Sequence, residues 1–206
     1  MVLPLLGCFL IGSIPFGFLI GRSQGVDLRK EGSGNIGATN AFRVLGPKWG
    51  TLVFLLDAMK GFLPLWFLGS HAGFLGAWGE AWHSDAGLLL CGLLVVLGHN
   101  YTPFLGFRGG KGIACSAGLL LALLPLVFLI VAAVWALFFL TTRIVSVASL
   151  AASLALPVST VLMAPDRPAL IGLAIVLGLV SIWRHRSNIQ RLLAGTESNF
   201  RKGKAT

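Results

Sequence analysis

Acidic residues are scarce. The chain of 206 residues carries seven Asp and Glu, and charged residues of both signs make up 11% of it, where a soluble domain holds about 25%. So few carboxylates exclude a carboxylate-rich metal site. No HExxH and no paired His/Cys cluster is present, so no metal is expected. The three cysteines, Cys8, Cys91 and Cys115, lie far apart in apolar surroundings without metal spacing, and read as filler facing lipid or core. The GxSxG nucleophile elbow is missing too. What remains is apolar: 56% of the residues are hydrophobic and the mean hydropathy is +0.87. That composition predicts one integral-membrane domain over residues 1–206. The net charge of +9 is concentrated between apolar stretches and near the C-terminus. This pattern fits cytoplasmic loops beside anionic headgroups or anionic substrates, and not nucleic acid.

The first apolar run, to about Gly21, has no basic leading segment and no small-residue cleavage site. It predicts a transmembrane helix kinked at Pro15. Further apolar blocks cover about 49–69, 86–98, 113–140 and 144–183. The last breaks at Met163-Ala164-Pro165-Asp166-Arg167-Pro168, giving spans near 144–163 and 169–183. The block 113–140 crosses either once or, hinged near Pro125, twice. Charge decides. With the N-terminus outside and two crossings, 14 of the 16 basic residues fall inside; Arg167 lies outside and Lys60 within a span. A single crossing puts the six basic residues of the tail outside, against the positive-inside rule. The expectation is therefore an all-α, polytopic helical bundle of about seven spans, some short or broken, with a cytoplasmic C-terminus.

The inner loops carry the chemistry. They read DLRKEGSGNIGATNAFRVLGP from 27, GHNYTPFLGFRGGKGIA from 98, TRIVSVASL from 142 and WRHRSNIQRLLAGTESNF from 183. Glycine runs mixed with Ser, Thr, Asn, Arg and Lys suit a phosphate cradle, because glycine lets backbone N–H groups converge on an anion that Arg or Lys neutralises. Two nucleotide motifs are mimicked and fail. Gly32-Ser33-Gly34-Asn35-Ile36-Gly37 satisfies GxGxxG, but a predicted transmembrane helix precedes it where a strand is required. Gly110-Lys111 resembles a P-loop, yet Leu105 stands where glycine is needed and Gly112 where Ser or Thr would hold magnesium. Asn100-Tyr101-Thr102 is a glycosylation sequon only by chance, in a predicted inner loop. The His-x4-Asp pair common in acyltransferases is also absent: the residues five beyond His71, His83, His99 and His185 are Gly76, Leu88, Phe104 and Gln190.

Taken together, Ser13-Ile14-Pro15, the Gly32–Asn40 run, Gly98-His99 through Gly109-Gly110-Lys111-Gly112, Arg143 with Ser146, and Asn188, Arg191 and Gly195-Thr196-Glu197 resemble the bacterial membrane acyl-phosphate:glycerol-3-phosphate acyltransferases from about residue 12 to 200. The resemblance implies acyl transfer from acyl phosphate to the sn-1 hydroxyl of glycerol 3-phosphate. It also implies release of phosphate in phospholipid synthesis, no cofactor, an inner-membrane location with a cytoplasmic active site, and a functional link to an enzyme that forms acyl phosphate. By the same analogy Gly109, Gly110, Lys111 and Gly112 would bind the glycerol 3-phosphate phosphate, and Arg43 and Arg143, with Ser146, would take the same or the second phosphate. Ser33, Gly34, Asn35, Thr39 and Asn40 would serve the acyl phosphate or the developing oxyanion, and Asn188 joins the catalytic set.

An acyl phosphate is already activated, so positioning and electrostatics carry the reaction. His185 is the best general base by pKa class, with the substrate's own phosphate as the alternative. His99 reads as a helix-end residue and Glu197 as an ion-pair partner of one of the arginines. Asp57 and Lys60, three apart in a span, predict an inward-facing pair. His71 and His83 have no functional case. Trp49, Trp66, Trp78, Trp82 and Trp183 read as interfacial anchors, with Trp135 inside a span. A small transporter of phosphate-bearing solutes is the alternative reading, but its polar residues would not all lie on one face.

Overall fold

A computed structural model of the chain describes residues 2–70 and 85–200. His71, His83, Trp78, Trp82 and the tail's Arg201, Lys202 and Lys204 lie outside the described residues. Among the described residues the chain is all helical, with ten α-helices and no strand: α1 Val2–Ser13, α2 Phe16–Ser23, α3 Ala38–Leu45, α4 Pro47–Ser70, α5 Asp85–Asn100, α6 Ile113–Leu123, α7 Pro125–Thr142, α8 Val145–Met163, α9 Pro168–Arg184 and α10 Arg186–Leu193.

The chain forms two compact units, Met1–Leu123 and Leu124–Thr206. In the first, α1 packs on α5, and α4 on α6 and α3. Glycine makes these contacts close: a Cβ on Gly12 would lie 2.1 Å from the Val95 carbonyl, and one on Gly118 1.9 Å from that of Ala58. Small residues at crossing points let helix backbones approach where lipid offers no hydrophobic drive. In the second unit α7 packs on α8, and α8 on α9. Small residues again line the seam, with Ala148, Ala152, Ser149 and Ser153 of α8 buried.

Prolines end helices where the sequence predicts. The chain breaks at Ile14-Pro15, between α1 and α2; at Pro125, which begins α7 directly after α6; and in the 164–167 turn before Pro168. Among the described residues five helical segments are long and apolar enough to cross a membrane, or six if α9 and α10, bent by 55°, count as one. The seventh expected span is the short apolar helix α6. Helix α6 has 11 residues and rises about 16 Å, roughly half of a hydrocarbon core of about 30 Å. The cysteines are buried. Trp183 and Trp66 are exposed, and Trp49 and Trp183 each lie beneath a neighbouring cation, Lys48 and Arg186.

Candidate active site

The first unit brings the two glycine loops together with α3. Loop 24–37 leaves α2 through a Val26 N–H bond to the Gly21 carbonyl. Leu28, fully buried with Ile20, Ala41 and Val53, plugs the loop into the core. Asp27 grips Arg29 through both carboxylate oxygens, at 2.9 and 2.7 Å, and that guanidinium holds the Asp27 carboxyl well below the usual carboxylate range.

Asn40 then ties the loop down. Its amide donates to the Leu28 and Glu31 carbonyls, both at 3.0 Å, and its Oδ1 accepts the Ser33 N–H at 2.8 Å. The sequence reading makes Asn40 a donor to substrate. In the structure both N–H groups of this buried amide are spent on the loop backbone. Asn35 accepts the Gly37 N–H at 2.8 Å, a turn that starts α3. Ser33 and Gly34 are exposed, while Thr39 and Arg43, one helical turn apart on α3, are half-buried.

The second loop doubles back over the end of α5. Thr102 Oγ donates to the Ser13 carbonyl at 2.7 Å. After a 3₁₀ turn over Pro103–Leu105, Gly109 donates its N–H to the Asn100 carbonyl at 3.1 Å and Gly110 donates to that of His99 at 3.0 Å. These two N–H groups close the loop on α5. Lys111 and Gly112 follow, and α6 begins at Ile113, leaving Lys111 half-buried at the positive end of a helix.

Beneath the loop lies a buried charged group. Asp57 and Lys60 pair at 2.8 Å, as their spacing predicts, and His99 Nδ1 stands 3.5 Å from the same carboxylate oxygen. Lys60 also donates to the Ile14 carbonyl at 2.8 Å, at the Pro15 break. His99 sits at the helix end as expected, and its ring supports Gly110, where a Cβ would come 2.1 Å from Nε2. Sequence reasoning missed Asn100. It is fully buried, neither of its amide atoms is hydrogen-bonded, and its Oδ1 lies 3.0 Å from where a Cβ on Gly112 would sit. A polar residue ending an apolar helix was the available signal.

In the second unit Glu197 is the organising group. Its Oε1 accepts from Ser146 Oγ at 2.9 Å and Asn188 Nδ2 at 2.7 Å, and its Oε2 accepts from Arg191 Nε at 2.7 Å. Burial works to raise the Glu197 carboxyl, but hydrogen bonds from Asn188, Arg191 and Ser146 outweigh it and hold the group below its ordinary value. The expected ion pair is thus with Arg191. Ser146 and Asn188, read from the sequence as substrate ligand and catalytic group, here donate to this carboxylate, which needs donors once buried.

The tail is pinned by the Phe200 N–H on the Arg143 carbonyl at 3.0 Å and by Asn199 on that of Thr142 at 3.3 Å. Arg143 caps α7 in the left-handed region, at φ +59°, an unusual conformation for a residue with a side chain. Its half-buried guanidinium makes no ion pair or hydrogen bond among the described residues. His185, buried at the α9–α10 bend, has Nδ1 2.8 Å from the Ser181 carbonyl. A carbonyl only accepts, so Nδ1 donates to it, and Nε2 is the ring's accepting nitrogen whenever the ring is neutral. Among the described residues no group of three metal-ligating side chains occurs.

The sequence matches the family model described as glycerol-3-phosphate acyltransferase over residues 2–195. A glycerol-3-phosphate acyltransferase of Aquifex aeolicus is 44% identical over 193 residues, covering 93% of this chain and 95% of the relative. One from Geobacter metallireducens is 42% identical over 200 residues, 97% of each. Two crystal structures of PlsY, an integral membrane glycerol 3-phosphate acyltransferase, are similar throughout. The glycerol 3-phosphate form has a TM-score of 0.86 at 43% identity, covering 96% of this chain and 94% of its own. The lysophosphatidic acid form has a TM-score of 0.83 at 42% identity, with 96% and 93% covered.

Proposed function

Because the chain belongs to the glycerol-3-phosphate acyltransferase family, we propose that it transfers an acyl group from acyl phosphate to the sn-1 hydroxyl of glycerol 3-phosphate. The products are lysophosphatidate and inorganic phosphate. The domain is the whole of 1–206, embedded in the bacterial inner membrane with seven crossings, the N-terminus outside and the active site on the cytoplasmic face. An enzyme that forms acyl phosphate supplies the donor.

The observation that carries this reading is the Gly109–Gly112 loop, folded on α5 so that Lys111 stands beside the first turn of α6. Lys111, with that helix end, holds the phosphate of glycerol 3-phosphate. Arg43 and Arg143 neutralise phosphate charge. The Ser33 hydroxyl and the Asn35 amide serve the acyl phosphate, on a loop that Asn40 keeps in place. The hydroxyl of glycerol 3-phosphate attacks the acyl carbonyl, the carbonyl–phosphate bond breaks, and phosphate leaves with the electron pair. His185 Nε2, or the substrate's own phosphate, accepts the hydroxyl proton.

Two variants test the roles. Lys111→Ala is expected to raise the KM for glycerol 3-phosphate by tenfold or more, about 1.4 kcal/mol, or to abolish turnover; normal kinetics in a folded variant would remove Lys111 from the site. His185→Ala is expected to cost about 10²-fold in kcat if the ring is the base. Near wild-type turnover would assign the proton to the substrate phosphate.

A further inference from the structure

Between the two glycine loops of the first unit lies a cleft of about 610 Å³ whose walls include Arg29, Lys30, Arg108, Ile36 and Leu105, with three glycines of the loops. Its size falls within the roughly 300–1,000 Å³ of small-ligand sites. Lys111 is not among its walls, and none of its three cations carries a substrate role above. Arg29 is anchored, chelated by Asp27 at 2.7 Å and lying 4.6 Å over the Phe18 ring. Lys30 and Arg108 are exposed, and neither makes an ion pair or side-chain hydrogen bond among the described residues. Two uncommitted cations beside an anchored third, over backbone that glycine keeps open, suit a phosphate.

The walls also carry an apolar component that a bare glycerol 3-phosphate would not use. Ile36 and Leu105 face the same space. On either side of Leu105 and Gly106 in the chain, Phe104 and Phe107 are 61% and 63% exposed, and Phe107 is held out by a left-handed backbone at φ +62°. Solvated aromatic side chains beside cations are the pattern of a membrane–water interface. The cleft therefore offers charge and apolar surface together.

We propose that this cleft is the binding site for the phosphate of a single-chain acyl amphiphile, with Lys30 and Arg108 contacting the phosphate and Ile36 and Leu105 the start of its chain. Acyl phosphate entering and lysophosphatidate leaving share that chemistry. This rests on the acyl-phosphate reading above and adds a donor-side subsite to it.

The double variant Lys30→Gln/Arg108→Gln, at two exposed positions, is tested in neutral detergent micelles with palmitoyl phosphate and glycerol 3-phosphate. The KM for palmitoyl phosphate is expected to rise about tenfold, with the KM for glycerol 3-phosphate unchanged. If instead only inhibition by added lysophosphatidate weakens tenfold, the site serves the product, and the proposal stands in that form. An equal rise in the KM for glycerol 3-phosphate, no change in either amphiphile's constant, or an effect confined to vesicles containing anionic lipid would overturn it. Wild-type protein inactive with palmitoyl phosphate is a different failure, that of the acyl-phosphate reading itself.

Discussion

Gly109→Ala is expected to leave a folded protein with activity reduced about 100-fold. A Cβ at this position would stand 2.0 Å from the His99 carbonyl oxygen and 2.8 Å from the Asn100 carbonyl carbon. Both are backbone atoms at the end of α5, which is held to α1 by close helix packing, so they cannot rotate aside. The loop has to move outward by about 1 Å or more to restore ordinary contact, and the Gly109 N–H bond to Asn100 stretches with it. Lys111, two residues further on, is carried along. A misplacement of about 1 Å in a positioned group costs on the order of 10²-fold in rate. The clash lies outside the helix–helix seams, so the melting temperature changes little. Gly172→Ala is the control, since nothing lies within 4 Å of a Cβ there and alanine is favoured over glycine inside a helix. Steady-state kinetics on both variants checks the expectation, and a Gly109→Ala enzyme with wild-type kinetics would show that the loop does not position Lys111.

The second large effect is on stability. Glu197→Ala strips this acceptor from Ser146, Asn188 and Arg191 at once, the first two of them buried. The expected loss is about 2–3 kcal/mol, read as a melting midpoint lower by about 5 °C. Glu197→Gln keeps the shape but removes the charge, and it isolates the pH dependence. The folded carboxyl is held below its unfolded value, so its stabilisation is present above the unfolded pKa of about 4.3. That stabilisation is lost as the pH falls through the lower, folded value. The gap between wild type and Glu197→Gln should therefore be full near neutrality and close on acidification below about pH 4.3. A gap independent of pH would mean that Glu197 does not carry the charge assigned to it.

The helical boundaries were legible because proline and charge punctuate them. Pro15, Pro125 and Pro168 mark breaks that the backbone obeys. The short helices α3 and α10 were not legible, because their residues read equally well as polar loop. Nor was the division of labour among the amides and hydroxyls. Asn40, Asn188 and Ser146 have side chains that suit a phosphate oxygen, a backbone carbonyl or a carboxylate alike, and only the fold shows which of these each one meets. The same holds for Gly109 and Gly110. Their type signals an anion cradle, while in the structure their N–H groups pack the loop on the end of α5. Span number was legible except at α6, whose 11 apolar residues fall short of the roughly 20 of an ordinary span.

The most direct measurement is the choice of acyl donor. Purified protein in detergent or lipidic mesophase is given glycerol 3-phosphate with either palmitoyl phosphate or palmitoyl-CoA, and both inorganic phosphate and lysophosphatidate are followed. An acyl-phosphate enzyme without the His-x4-Asp dyad releases one phosphate per lysophosphatidate with palmitoyl phosphate, with no metal added, and forms no product from the thioester. Lysophosphatidate formed from palmitoyl-CoA but not from palmitoyl phosphate would contradict the account.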